Sequence, residues 1–233
     1  MEEKIKKIIH LAIIPDGNRR WAKERNLPTF YGHKRGLDQS IKLARKARDL
    51  GIKVLTFWAF STENWQRSKE EVDYLMRLYK IMIDRTIREA MKEKIRILHL
   101  GRKDRLEKSL LKKIIEAEEK TKTFNRYFLA IALDYGGQDE ILRAIKRIRE
   151  EKVDVNDLNI EIFNQFLDSR DLPYPFPDLV IRTSGEIRTS GFMIWQAAYS
   201  EWIFSPKYFP DFTPDDLQEC IQEYKNRQRR FGK

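Results

Sequence analysis

The chain has 233 residues, with 46 Lys plus Arg against 36 Asp plus Glu, a formal net charge of +10, and 41% hydrophobic and 12% aromatic residues. That length and aromatic content exclude a disordered segment and fit one large α/β domain over residues 1–233. The single Cys220 excludes a disulfide scaffold, three scattered histidines exclude a Cys/His zinc site, and no apolar run approaches the ~18 residues of a membrane span.

In chain order, the opening MEEKIKK has no apolar signal segment, so a soluble cytoplasmic protein is expected. Ile8 to Ile14 (IIHLAII) is a nearly unbroken apolar run, the pattern of a strand buried on both faces in a parallel sheet, and it halts at Pro15-Asp16-Gly17-Asn18. Val54 to Phe60 (VLTFWAF) repeats the pattern and leads into Ser61-Thr62-Glu63-Asn64. Val72, Leu75, Met76, Tyr79, Met82, Ile83 and Ile87 follow helical spacing over about four turns. Arg96 to Leu100 reads as a strand ending at Gly101, Leu106 to Ala117 as a helix, and Tyr127 to Leu133 as a strand ending at Asp134-Tyr135-Gly136-Gly137. Ile141 to Ile148 reads as a helix, Leu179 to Ile181 as a fifth strand, and Trp202 to Phe204 as a weak sixth. Thr213-Pro214-Asp215-Asp216 opens the last helix with a cap, a first-turn proline and two carboxylates at the positive dipole end. Strands alternating with helices mean βαβ units and a mostly parallel sheet, and no linker rich in Gly, Ser or Pro divides it. His10 and His99, inside apolar strands, read as hydrogen-bonded core histidines, and Met76, Met82 and Met91 as core filler.

In open α/β sheets ligands bind beyond the carboxyl ends of the strands. Three polar clusters stand there: Asp16-Gly17-Asn18-Arg19-Arg20-Trp21, then Ser61-Thr62-Glu63-Asn64-Trp65-Gln66-Arg67, then the stretch from Arg182 to Ser190, in which RTSG occurs twice. Taken alone, Asp16-Gly17-Asn18 reads as a turn and Arg182 and Arg188 as surface charges. Together the clusters supply guanidinium forks, hydroxyls and bare backbone N–H groups, the means of holding phosphate oxygens, and Asp16 is a natural oxygen ligand for a Mg²⁺ shared with them. No G-x-x-x-x-G-K-[ST], G-x-G-x-x-G or G-x-S-x-G occurs. The acidic Asp215-Asp216-Leu217-Gln218-Glu219 is explained as the helix start rather than as an aspartate-rich prenyl-synthase motif. The basic tail Lys225, Arg227, Arg229, Arg230, Lys233 lacks interleaved aromatics, so nucleic acid is not the expected partner.

IIPDGNRRWA, GHKRG, FWAFSTENWQRS, DLVIRTSGEIRTSGFMIWQAAYSEWIFSPKYFPDF and the closing RRFG, in this order from about His10 to Gly232, resemble the cis-prenyltransferase family, whose best-known members are undecaprenyl diphosphate synthases. The resemblance implies a six-stranded, mostly parallel sheet surrounded by helices, with a hydrophobic tunnel between sheet and helices. It also implies a homodimer, Mg²⁺, and successive condensation of isopentenyl diphosphate onto an allylic diphosphate (farnesyl or geranylgeranyl diphosphate), giving Z double bonds and a lipid-carrier precursor. Peripheral membrane contact for product release goes with that reading.

Carried over by position, Asp16 is the metal-linked aspartate and Glu201 the second magnesium residue. Gly17, Asn18, Arg19, Arg20 and Trp21 form the allylic diphosphate loop, with His33 and Arg67 nearby. Asn64 is the residue assigned to proton removal, flanked by Ser61, Thr62, Glu63 and Trp65. Arg182, Arg188, Thr189 and Ser190 bind isopentenyl diphosphate, and Arg230-Phe231-Gly232 is the terminal arm that crosses a dimer interface to which Phe192, Ile194, Trp195 and Tyr199 contribute. Arg19 stands where bacterial members usually have glycine, Thr29 where many have another phosphate-binding arginine, and Gly191 where Asn or Asp is usual. The helix from Val72 to Met91 is the expected tunnel wall, alongside strands bearing the small Ala59 and the larger Leu133 and Tyr127, which implies a medium-to-long polyprenyl product.

Overall fold

A computed structural model describes residues 7–227. Six strands, β1 (His10–Ile14), β2 (Val54–Ser61), β3 (Ile95–Leu100), β4 (Tyr127–Tyr135), β5 (Leu179–Arg182) and β6 (Glu201–Phe204), form one sheet in the order β3-β4-β2-β1-β5-β6. Every pairing is parallel. The expected strands are all present, each within two residues of its predicted ends. Their unbroken apolarity has the cause inferred for it. Leu11 and Ile13 of β1 join the core on one face of the sheet with Leu43, Phe57 and Phe209. Ala12 and Ile14 join the core on the other face with Trp58, Ala130 and Phe192.

The described residues form seven α-helices, six between strands and the last after β6: α1 (Asn18–Glu24), α2 (Thr29–Asp49), α3 (Lys69–Glu93), α4 (Lys108–Thr121), α5 (Gly137–Glu150), α6 (Ile160–Asn164) and α7 (Pro214–Asn226). Three of them, α1, the long α2 and the short α6, have no counterpart among the helices expected from the sequence. Leu37, Ile41 and Ala44 of α2 recur at helical spacing, but Gly32 and Gly36 and the many charged residues break up the apolar stripe. Both glycines are contact points: a Cβ on Gly32 would lie 2.0 Å from the Asn18 carbonyl oxygen, and one on Gly36 2.1 Å from Asn18 Oδ1. The GHKRG motif thus lets the start of α1 rest directly on α2.

The last helix begins as read from the sequence. Asp216 donates its backbone N–H to Thr213 Oγ1 at 3.2 Å, and Asp216 Oδ2 accepts the Thr213 N–H at 2.8 Å. Asp216 also holds Lys207 at 2.6 Å, so this acid has structural partners. The core histidines are as expected: His10 Nε2 lies 2.8 Å from Thr56 Oγ1, and His99 Nε2 donates to the Leu133 carbonyl at 2.9 Å. The methionine series is not uniform, because Met76 is buried but Met91 is 45% exposed. Phe192, placed in sequence terms at an interface, is instead fully buried and stacked on Trp58 at 4.9 Å. Trp195 packs on Phe163 and donates to Asn164, while Tyr199 is 87% exposed. Among the described residues no helix is long and apolar enough to cross a membrane.

Candidate active site

The three polar clusters meet at the carboxyl edge of β1, β2 and β5. Ile14 pairs with Arg182, so the loop that leaves β1 starts beside the last residue of β5. There Gly17 has φ 97°, a conformation that excludes most side chains, and a Cβ would lie 2.6 Å from the Tyr208 ring. Thr183 fastens this loop: its Oγ1 accepts the Asp16 N–H at 2.9 Å and donates to the Asp16 carbonyl at 2.8 Å.

Arg182 is buried and held on three sides. One Nη donates to the Arg188 carbonyl at 2.6 Å and to Ser190 Oγ at 2.7 Å; the other donates to Asp16 Oδ2 at 2.9 Å. Asp16 Oδ1 accepts the Gly17 N–H at 2.6 Å and faces Arg20 at 3.5 Å. Burial works against the Asp16 charge, but the Arg182 hydrogen bond and charge, the Gly17 N–H and Arg20 outweigh it and hold the carboxyl below its ordinary pKa. Three buried polar atoms here lack a protein partner: Asn18 Oδ1, Trp21 Nε1 and Arg182 Nε. Orphaned groups of this kind are uncommon in folded proteins, and these three are left open to a ligand or to water.

The other cations are held by carboxylates. Glu186 takes Arg20 at 2.7 Å and also pairs with Arg188. Glu71, on the first turn of α3, collects Arg67 at 2.9 Å, His33 at 3.2 Å and Arg19 at 3.7 Å. The His33 hydrogen bond, with Arg67 and Arg19, overcomes partial burial and depresses the Glu71 pKa to about 2. Glu71 was not singled out in the sequence. Its one local signal is the i,i+4 spacing from Arg67, common enough on helices to pass for a surface pair. Thr29 opens α2, and Gly191 has φ 81°, a left-handed conformation that Gly and Asn both tolerate, which accounts physically for the departure at that position.

The second cluster forms a short 3₁₀ turn, Thr62–Gln66. Asn64 Oδ1 accepts the Ser61 N–H at 3.1 Å in a capping box, Thr62 donates to Glu63 at 2.7 Å, and Trp65 Nε1 donates to Asp134 at 2.9 Å. Thr189 is exposed beside Ser190. Glu201 is not brought to Asp16. It opens β6 opposite Leu179 and Leu11, five positions before Asp16 along the chain direction, and pairs with Arg227 at 3.0 Å. Arg230 and Gly232 lie outside the described residues.

From this edge a cavity of about 560 Å³ runs between α2, α3 and the sheet. Asp16, His33, Asn64, Arg67, Arg182 and Ser190 line one end, and Leu37, Ile41, Leu75, Met82, Ile97 and Leu129 line its body. Ala59 and Leu133 also line it. The sheet register slips at Ala59, between the Trp58–Ala132 and Phe60–Leu133 pairs, and Tyr79 donates to the Ala59 carbonyl at 2.5 Å, tying α3 to the bulge. Tyr127 is not in the lining; it sits at the start of β4 between Lys53 and Arg126.

Among the described residues no group of three or more His, Cys, Asp or Glu side chains is placed to hold a metal ion. The ionised, partly exposed Asp16 carboxylate fits a Mg²⁺ whose remaining ligands are phosphate oxygens and water, which is how this ion is usually held.

A parallel α/β sheet with arginines gathered at the mouth of an apolar cavity defines a class of protein: one built for an amphipathic ligand with an anionic head and a hydrocarbon tail. The sequence profile of the family described as putative undecaprenyl diphosphate synthase matches residues 14–232, and the chain belongs to that family of isoprenyl transferases. It is 48% identical to an isoprenyl transferase of Thermotoga maritima over 228 residues, 96% of each chain. It is 45% identical to a geranylgeranyl-diphosphate-specific tritrans,polycis-undecaprenyl-diphosphate synthase of Methanocaldococcus jannaschii, covering 96% of this chain and 82% of that one. The crystal structure of lavandulyl diphosphate synthase from Lavandula x intermedia, in complex with dimethylallyl diphosphate, superposes with TM-score 0.93 at 36% identity over 97% of this chain and 98% of that one.

Proposed function

We propose that the protein condenses isopentenyl diphosphate with an allylic diphosphate, farnesyl or geranylgeranyl, and repeats the step to give a Z-polyprenyl diphosphate. The observation that carries this reading is the Asp16–Arg182 pair at the mouth of an apolar cavity, with Asn18, His33 and Arg67 lining the same end. A charged head and a hydrocarbon tail are thereby given separate, adjoining environments.

In this reading Gly17, Asn18, Arg19, Arg20 and Trp21, with His33 and Arg67, hold the allylic diphosphate, and Arg182, Arg188, Thr189 and Ser190 hold isopentenyl diphosphate. Glu71 and Glu186 keep the arginines extended and ordered until phosphate oxygens take their place. As the allylic C1–O bond breaks, negative charge grows on the departing diphosphate, and guanidinium groups already fixed in place stabilise it. The isopentenyl double bond attacks C1 from a held position, and a proton then leaves the new adduct. Asn64 is a poor base, and its amide oxygen is engaged by the Ser61 N–H, so it orients substrate or relays that proton to a diphosphate oxygen. Asp16 is the residue that would hold Mg²⁺, and the ion would supply further neutralisation of phosphate charge. Glu201 stays a metal candidate only if it acts from elsewhere than beside Asp16 of its own chain.

The one sheet supports reading residues 1–233 as one domain. Leu142 and Ile145, 60% and 51% exposed and one turn apart on α5, support a homodimer whose face includes Tyr199. Incubation with labelled isopentenyl diphosphate and either primer, with magnesium or with chelator, tests the function. A magnesium-dependent, butanol-extractable product is expected; none with either primer overturns the proposal.

A further inference from the structure

The body of the cavity is apolar, and towards its far end charged side chains join apolar ones such as Ala90 and Ile95. Arg45, Arg48, Arg85 and Glu89 also line it, and all four stand on the facing sides of α2 and α3. They belong to a ladder of ion pairs that closes the seam between these helices. Arg85 meets Asp38 at 3.6 Å, Arg45 meets Glu89 through two hydrogen bonds of 2.7 and 3.0 Å, and Arg48 meets Glu93 at 3.2 Å. The middle rung is a two-bond guanidinium–carboxylate fork, the geometry that best holds such a pair together. From His33 to Arg48 on α2, and from Leu75 to Ala90 on α3, the helices wall the cavity for roughly 22 Å at ~1.5 Å per residue, with the Arg45–Glu89 pair in the last turn of that wall.

We infer that the Arg45–Glu89 pair is the end wall that determines product length. This rests on the chain-elongation reading of the site and deepens it. While the growing chain lies short of the pair, each added isoprene unit moves from water into an apolar lining, and burial favours another addition. At the pair the gain stops. The next unit must either strip solvent from a half-exposed ion pair or part it and emerge into water through the seam. An apolar contact between the helices would continue the lining and set no such limit. An exposed ion pair is also a weak clasp, sensitive to charge and to salt, so its contribution is open to direct measurement.

The test reads the length distribution of dephosphorylated products by thin-layer chromatography, with the full chain, labelled isopentenyl diphosphate and an allylic primer. Arg45→Glu and Glu89→Arg each place like charges across the seam, and each is expected to lengthen the main product by at least one isoprene unit. The double reversal Arg45→Glu/Glu89→Arg restores the pair and is expected to return the wild-type distribution, which loss of helix packing alone does not do. Glu89→Gln removes the charge while keeping the shape, and is expected to lengthen the product even if the reversals fail to fold. Raising salt from about 0.05 to about 0.5 M is expected to lengthen the wild-type product and leave that of Glu89→Gln in place. An unchanged or shortened distribution in Glu89→Gln, or a folded double reversal no closer to wild type than its parents, overturns the inference. Absence of any extended product from the wild-type chain overturns the elongation reading itself.

Discussion

Asp16, two residues beyond β1, accepts a 2.9 Å hydrogen bond from Arg182, the last residue of the neighbouring β5. The parallel pairing of those strands fixes the contact, so neither side chain needs the other to stay in place. Replacing Asp16 by Ala should leave the fold intact and lower turnover on the order of 10²–10⁴-fold, because the carboxylate acts chiefly where charge develops on the leaving diphosphate. Arg182→Ala should instead mainly raise the KM for isopentenyl diphosphate. Steady-state kinetics beside circular dichroism separate the two outcomes.

Gly36 offers a prediction of unusual sign. Gly→Ala inside a helix ordinarily stabilises by about 1 kcal/mol. Here the new methyl would lie 2.1 Å from Asn18 Oδ1 and 3.3 Å from the Phe209 ring. Gly36→Ala should therefore destabilise by roughly 1–3 kcal/mol and displace the Asn18 side chain at the start of α1. Chemical denaturation should show the loss, and activity should fall with it because Arg19 and Arg20 ride on α1.

Acid should unfold the protein in two phases. Burial lowers the His10 and His99 pKa values from 6.5 to about 3 and about 4. As pH falls below 6.5, the unfolded chain takes up protons that the native chain refuses, so stability drops from about 6.5 to about 4 for His99 and to about 3 for His10. Glu71, depressed from 4.5 to about 2, contributes stability above 4.5 that is lost as pH falls towards 2. Melting temperature against pH should show both losses, and Glu71→Gln should reduce the lower one, to which Asp16, Asp168 and Asp216 also contribute.

Ala59 and Leu133 face the same cavity. Ala59→Leu should shorten the product distribution and Leu133→Ala should lengthen it, since each isoprene unit must fit a close-packed interior. Tyr127→Ala should change nothing, because that ring lies outside the lining. Product chromatography of the three variants checks the set.

Leu142→Asp with Ile145→Asp should convert a dimer to monomer in sedimentation, as it places two charges on the exposed face of α5. Removing residues 230–233 should cost activity far more than stability, since a chain terminus seldom carries the core.

The sequence by itself determined the sheet and the polar clusters at its carboxyl edge. Strands such as Ile8 to Ile14 and Tyr127 to Leu133 are legible because burial on both faces leaves no polar position to interrupt the run. Asp16, Asn18, Arg182 and Ser190 are legible because they follow strand ends, and parallel pairing brings those ends together. The tertiary structure alone decided the rest. Glu71 gathers Arg19, Arg67 and His33 from separate segments, and no local spacing encodes a meeting of α1, α2 and α3. The apolar stripe of α2, Leu37, Ile41 and Ala44, is short because the helix packs through glycines and turns that face to a cavity rather than to a filled core. Arg45 and Glu89, each an ordinary surface charge in the sequence, become the cavity's end because two helices 20 residues apart in the chain are set side by side over the sheet. Local pattern reports what one element buries. What two elements enclose between them depends on how they are placed, and packing decides that.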